Sequence, residues 1–218
     1  MTSTVPIGLL GGSFDPIHLG HLQLARDALV QLQLAAVRFV PAGHPWQKRV
    51  ATGATQRAHM VGLAIRGEPR FVLDMHEVER TGATYTVDTL RALRAELGDQ
   101  APLVLIMGGD QMQRLDTWHE WQKLLDLAHI AVARRNGAVL TLSWPLQEYY
   151  NSHWAAVDAV RLRPAGAIVD IEMTPVDASA TETRALLAQP PSADRDARLA
   201  AIVPVPVLDY IRANSLYQ

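Results

Sequence analysis

Short apolar runs separated by segments of helical periodicity constrain this chain more than any other feature. "PLVLIMGGD" (102–110) is the clearest, with five apolar residues after Pro102 and then a Gly-Gly-Asp stop. Such a run, with no period-two alternation, suits a strand covered on both faces. "VPIGLL" (5–10), "VRFVP" (37–41), "HIAVARR" (129–135) and "AIVDIEM" (167–173) read the same way, and "RFVLDMHEVER" (70–80) has strand character. Between them lie helical patterns. One runs from His18 to about Leu34 with Leu22, Ala25, Leu29 and Leu32 at helical spacing. "TQRAHMVGLAIRG" (55–67) has Thr55 as N-cap and Gly67 as stop. "TYTVDTLRALRAELG" (84–98) is capped by Thr84 or Thr86, and "TWHEWQKLLDLA" (117–128) is a further helix. Strands alternating with helices predict βαβ units, hence a Rossmann-like α/β fold with a parallel sheet and helices on both faces. After Arg135 the pattern thins to "ATETRALLAQ" (180–189) and "VPVLDYIRANSLY" (205–217), two helices joined by the polar loop "QPPSADRDA" (189–197). One domain over 1–218 is expected, with a helical C-terminal portion from about 174.

Composition narrows the function classes. With 49% hydrophobic and 19% charged residues the chain reads as an ordinary globular protein. A formal charge of −2 provides no electrostatic footprint for nucleic acid, so any bound anion is held by local groups. The chain has no cysteine, which removes thiolate metal sites and cysteine nucleophiles. No apolar stretch approaches the roughly 18 residues of a membrane span, and the first residues do not read as a signal peptide, so the expected location is cytoplasmic.

The densest chemistry lies in "GLLGGSFDPIHLGHLQLA" (8–25). Gly11 and Gly12 end a predicted strand, and in parallel α/β sheets ligands bind outside the carboxyl ends of strands. Without Cβ atoms they let backbone approach a ligand closely. Asp15-Pro16 turns the chain and a helix begins near His18, where free N–H groups and the helix dipole favour an anion. His18 and His21, three residues apart, share one face of the first turn. The residues alone leave two readings: a phosphate site, or a metal site whose third ligand is not close in sequence. The G-x-G-x-x-G dinucleotide fingerprint is absent.

The segment "GGSFDPIHLGH" resembles the G-x-F-D-P-x-H-x-G-H stretch of the nucleotidyltransferases that carry an H-x-G-H motif, here His18-Leu19-Gly20-His21. Downstream the resemblance narrows to bacterial nicotinate mononucleotide adenylyltransferases. "YTVDTL" (85–90) is similar to their S/T-Y-T-x-D/E-T-L segment, and "MGGDQMQRLDTWHEW" (107–121) to their I-G-x-D…W-x-x-W/Y block. "ASATETRALL" (178–187) and "VPVLDYIRANSLY" match their last two segments, in family order from Gly8 to Tyr217. The resemblance implies adenylyl transfer from ATP to nicotinate mononucleotide. That reaction yields deamido-NAD and pyrophosphate, a step of NAD biosynthesis, without a covalent intermediate, and with Mg²⁺ carried on the ATP phosphates.

The same resemblance implies roles residue by residue. His18, His21 and Arg184 would act on the reacting phosphates. Gly11, Ser13, Gly20, Gly108, Asp110, Arg134, Ser179 and Thr181 would bind ATP. Gly12, Phe14, Lys48, Thr86 and Trp118 would bind nicotinate mononucleotide. Thr181 would cap a helix as part of a second phosphate clamp; plain capping is the other reading of Ser179 and Thr181. Asp110 is either a ribose acceptor or a helix cap, Trp118 either a ring-stacking partner or core, and Arg134 either a triphosphate contact or an exposed strand-end charge. One departure stands out. Where many family members have P-P-H-K, this chain has Pro45-Trp46-Gln47-Lys48, so an imidazole role at Gln47 does not carry over. The competing readings are a nicotinamide mononucleotide or phosphopantetheine adenylyltransferase, or a non-catalytic nucleotide sensor.

Overall fold

The computed structural model describes residues 5–45, 50–135 and 139–217. Six strands form one sheet: β1 (Ile7–Gly12), β2 (Ala36–Pro41), β3 (Phe71–Leu73), β4 (Leu103–Gly108), β5 (His129–Arg135) and β6 (Ile168–Met173). Their spatial order is β3-β2-β1-β4-β5-β6 and every pairing is parallel. The expected Rossmann-like architecture is therefore present, with the order reversing between β1 and β4.

Helices fill the crossovers: α1 (Leu19–Gln31), α2 (Ala54–Ala64), α3 (His76–Glu79), α4 (Thr86–Leu97), α5 (Gly109–Met112), α6 (Leu124–Leu127), α7 (Trp144–His153) and α8 (Ala159–Leu162). Three more, α9 (Ala180–Leu187), α10 (Ala193–Ile202) and α11 (Val205–Ala213), follow the last strand. Strand side chains alternate between faces, so neighbours in sequence enter different cores. Leu10, Val104 and Ile106 pack with Leu22, Met60, Leu186 and Leu208 from α1, α2, α9 and α11. Leu9, Leu105 and Met107 pack with Leu90, Leu93, Leu124 and Leu146 from α4, α6 and α7. The C-terminal helices thus cover the same face as α1.

Two buried arginines tie the rims together through backbone carbonyls. At the amino-terminal rim, Arg94 donates to Leu127 O (2.7 Å), Ala101 O (2.5 Å) and Pro164 O (2.8 Å), which lie just ahead of β5, β4 and β6. At the carboxyl rim the corresponding residue is Arg57, described below.

Several boundaries depart from the periodicity, each for a local reason. Gly53, not Thr55, occupies the N-cap of α2, because Arg57 one turn in holds Thr52 O (3.0 Å) and the helix starts there. The helix ends at Ala64, before Gly67. The N-cap of α4 is Tyr85, so neither Thr84 nor Thr86 caps it; Thr86 is its first residue. The 70–80 strand stops at Leu73, because Asp74 Oδ1 accepts the His76 N–H (3.0 Å) and turns the chain into α3. The 117–128 helix is broken at Glu120, whose φ of +48° is held by ion pairs to Arg91 (2.8 Å) and Lys123 (2.5 Å). Ser192 Oγ accepts from Arg195 N (3.2 Å) and starts α10 inside the expected 189–197 loop.

His129 opens β5 fully buried. Its Nδ1 accepts from Ala167 N (3.0 Å), so Nε2 carries the proton and donates to Arg163 O (2.8 Å). Burial pushes this imidazole down to about 4. The unfolded chain protonates first, near 6.5, so this contribution to stability is intact above pH 6.5 and is lost as pH falls to about 4. Urea unfolding at pH 7 and pH 4.5 should show a loss of up to about 3 kcal/mol from this group. In His129→Gln the loss should shrink; an unchanged loss would contradict the assignment.

Candidate active site

The reversal of strand order places the carboxyl ends of β1 and β4 beside a crevice, where the chain leaves the sheet in opposite directions. Gly11 and Gly12 pair with Val40 and Pro41 at the end of β1, and Gly108 pairs with Ala133 at the end of β4. Two adjoining pockets open here. Both are lined by Gly11, Gly12, Ser13 and Gln111, so the end of β1 is a ridge between them.

The first pocket takes His18, Gly20 and His21 from the start of α1. Its opposite wall is Gly108, Asp110 and Arg134, with Met173 and Ala178 at the β6 side. His18 and His21 lie face to face with ring centroids 3.7 Å apart. His21 Nδ1 accepts the His18 backbone N–H (3.3 Å), which leaves Nε2 as its protonated nitrogen. The Phe14 ring meets His21 edge-on at 5.0 Å. His18 is 9% exposed, burial pushes it down to about 4, and its Nδ1 has no hydrogen-bond partner among the described residues. A buried polar atom without a partner, on the wall of a pocket at a helix N-terminus, fits an anionic ligand. Asp110 is the carboxylate on this wall; a Cβ at Gly108 would lie 2.6 Å from its Oδ1, so a larger residue there would make this carboxylate move. Arg134 reaches Asp170 Oδ2 (3.5 Å) from the pocket wall.

The second pocket is more apolar. Thr86, at the start of α4, and Trp118 line it together with Gly12, as do Leu9, Val40, Leu90 and Leu105. Trp118 also packs against the second core, so both readings of this residue apply at once. Glu77, Thr84 and Thr89 complete the wall. Thr89 Oγ1 donates to Glu77 Oε1 (2.8 Å), and burial raises the Glu77 carboxyl above its usual range.

Other expected residues stand elsewhere. The Phe14 side chain is 1% exposed and sits in the core beneath the turn, lining neither pocket; only its backbone is at the ridge. Ser179, Thr181 and Arg184 lie outside both walls. Ser179 Oγ, not Thr181, caps α9 by accepting the Glu182 N–H (3.1 Å), because Ser179 is the residue with extended backbone at the N-cap. Arg184 donates to Asp15 O (2.7 Å) and contacts Thr181 Oγ1 (3.4 Å), so it joins α9 to the turn before α1. Lys48 and Gln47 fall outside the described residues. Sequence patterns had not singled out Gln111, Glu77 or Arg57. Gln111 and Glu77 sit within quoted segments, and Arg57 lies in the predicted 55–67 helix.

Among the described residues no helix is long and apolar enough to cross a membrane, and no three His, Asp or Glu side chains form a metal-binding group.

The comparisons agree with this geometry. A cytidylyltransferase-like family model matches residues 9–185. A relative from Dechloromonas aromatica, described as a "probable nicotinate-nucleotide adenylyltransferase", is 43% identical over 218 residues, covering 98% of each chain. One from Aeromonas salmonicida with the same description is 43% identical over 215 residues, covering 98% of this chain and 97% of its own. The solved structure of Plasmodium falciparum nicotinic acid mononucleotide adenylyltransferase complexed with NaAD shares the fold, with a TM-score of 0.73 at 19% identity. It covers 98% of this chain and 97% of that one.

A Cβ at Gly20 would lie 3.1 Å from Cε1 and Nδ1 of His18. Gly20→Ala should therefore shift that ring by a few tenths of an ångström and loosen its buried seat. Its NMR titration should then move up from about 4 toward 6.5, and a titration left near 4 would show that glycine is not needed to seat the ring. The fold, the paired pockets and full-length identities above 40% together make the chain a member of the nicotinate-nucleotide adenylyltransferase family.

Proposed function

We propose that the protein transfers the adenylyl group of ATP to nicotinate mononucleotide, forming deamido-NAD and pyrophosphate. The observation that carries this reading is the shared ridge Gly11–Ser13, which lines two adjoining pockets of different character. The polar pocket, with His18, His21, Asp110 and Arg134, takes ATP. The apolar pocket, with Thr86 and Trp118, takes the pyridine nucleotide.

The phosphate of the mononucleotide is the nucleophile. One of its oxygens forms a bond to the α-phosphorus of ATP, the bond from that phosphorus to the bridging oxygen breaks, and pyrophosphate leaves. The nucleophile is already ionised, so no side chain has to remove a proton. Catalysis rests on holding two anions in line and on stabilising the charge that develops between them. His21 supplies an Nε2–H donor. Burial favours neutral His18, and its Nδ1 has no hydrogen-bond partner among the described residues. A phosphate there supplies the partner and favours its protonated form. Arg184, through Asp15 O, holds the turn that carries both histidines. Gly108 and Asp110 receive the adenosine, with Asp110 accepting from ribose hydroxyls. Ser179 and Thr181 border this pocket through Ala178.

The walls fit Mg²⁺ that arrives on the triphosphate, because the pocket supplies donors and a single exposed carboxylate, Asp110, rather than a cage. Bound there, the ion would neutralise charge between phosphate oxygens. The same reading makes the protein cytoplasmic, where both nucleotides are at hand.

Preference for the acid over the amide follows from the start of α4. Backbone N–H groups and the helix dipole at Thr86 suit a carboxylate on the pyridine ring. Trp118 adds ring stacking worth about 0.5–1.5 kcal/mol. Incubation with ATP, Mg²⁺ and each mononucleotide, with products identified by mass, should give deamido-NAD and pyrophosphate, with the higher kcat/KM for the acid. His18→Ala and His21→Ala should each lower the rate by roughly 10²–10³. A preference for the amide, or rates unchanged in both variants, would refute the reading.

A further inference from the structure

Arg57 is the largest fully buried side chain of the molecule's described part, and it lies directly beneath the ridge. Its guanidinium makes four hydrogen bonds to backbone carbonyls from three segments. Nη1 donates to Ser13 O (2.6 Å), Nη2 to Ala42 O (2.5 Å) and Gly43 O (3.2 Å), and Nε to Thr52 O (3.0 Å). These carbonyls belong to the turn after β1 and to the segments after β2 and before α2. Among the described residues no carboxylate forms an ion pair with it. Asp15, the nearest candidate in the turn, is committed to Ala51 N (2.7 Å) and Tyr217 OH (2.7 Å).

Desolvation of this buried guanidinium is offset by hydrogen bonds to carbonyls, as it is for Arg94, and not by a counter-charge. What sets Arg57 apart is its placement. Ser13 O is the carbonyl of the peptide that leads into Phe14, whose φ is +48°, a left-handed conformation costly for a residue with a side chain. The peptide unit is planar and trans, so drawing Ser13 O toward Arg57 turns the Phe14 N–H the opposite way, away from the buried cation. Burial disfavours the charge, with Asp15, Tyr217 and Glu77 acting in the other direction at longer range, yet an arginine keeps its proton in proteins.

We propose that Arg57 is a positioning residue of the transfer reaction: it holds the Ser13–Phe14 peptide so that backbone donors face the phosphates, and it sets a fixed positive charge under the ridge where the two phosphates meet. The inference rests on the adenylyl-transfer reading. Arg94 provides an internal control, being a second buried arginine, 8% exposed against 0% for Arg57, that clamps carbonyls at the rim away from the pockets.

The test compares Arg57→Gln, Arg57→Lys and Arg94→Gln with the unmodified protein, each assayed below its own unfolding temperature. Activity of the unmodified protein with ATP and nicotinate mononucleotide is measured first; if it is absent, the adenylyl-transfer reading fails and not this one. Misplacement of reacting groups by about 1 Å costs on the order of 100-fold, so Arg57→Gln should lose about that much in kcat, and more in kcat than in either KM. Arg57→Lys keeps the charge without the fork, and should recover part of that loss, about tenfold, while binding inorganic pyrophosphate more tightly than Arg57→Gln. Arg94→Gln should lower Tm with kcat unchanged. Should Arg57→Gln not fold, Arg57→Lys against Arg94→Gln decides the matter. The proposal is overturned if the folded Arg57 variants keep kcat within about threefold of the original, or if Arg94→Gln loses as much kcat as they do.

Discussion

The reversal of strand order between β1 and β4 is the constraint on which the rest of this molecule depends. Chain leaving β1 turns to one face of the sheet and chain leaving β4 to the other, so a crevice opens that no side chain has to carve. Gly11 and Gly12 line both pockets; a Cβ at Gly11 would meet open space, whereas one at Gly12 would lie 3.1 Å from the Phe14 ring.

Among the described residues the crevice is braced from below by side chains that bind backbone carbonyls. Arg57 gathers carbonyls from the segments around β1 and β2, and Arg184 ties α9 to Asp15 O. Tyr217 reaches the Asp15 carboxylate from the end of the chain. The C-terminal helices therefore do more than cover a sheet face, because their polar ends converge on the turn that presents His18 and His21. Such bracing suits a reaction in which the protein contributes geometry and charge while the phosphates supply nucleophile and leaving group.

Much of this was legible in the sequence. Buried parallel strands announce themselves as unbroken apolar runs; β4 lies inside "PLVLIMGGD" and β5 coincides with "HIAVARR". The His18–His21 turn and the Thr86 and Trp118 blocks are local in sequence, so their grouping into two pockets followed from strand order alone. What stayed hidden was decided by tertiary contact. The break at Glu120 depends on Arg91 from another helix, and the cap of α2 depends on what Arg57 binds. Arg57 itself sits in a helical pattern where arginine is usually solvated, and nothing in its neighbours states that four carbonyls will surround it. Phe14 carries two features that its place in the motif does not announce, a left-handed backbone and a core ring edge-on to His21.

The central claim is that two substrates meet across Gly11–Ser13 and exchange the adenylyl group directly. The stereochemistry at the α-phosphorus tests this without altering the protein. With ATP carrying sulfur in place of one non-bridging α-oxygen, in a single known configuration, one in-line displacement inverts the phosphorus centre. Deamido-NAD of inverted configuration is the predicted product. Retention would require two displacements through an adenylylated residue and would contradict the account.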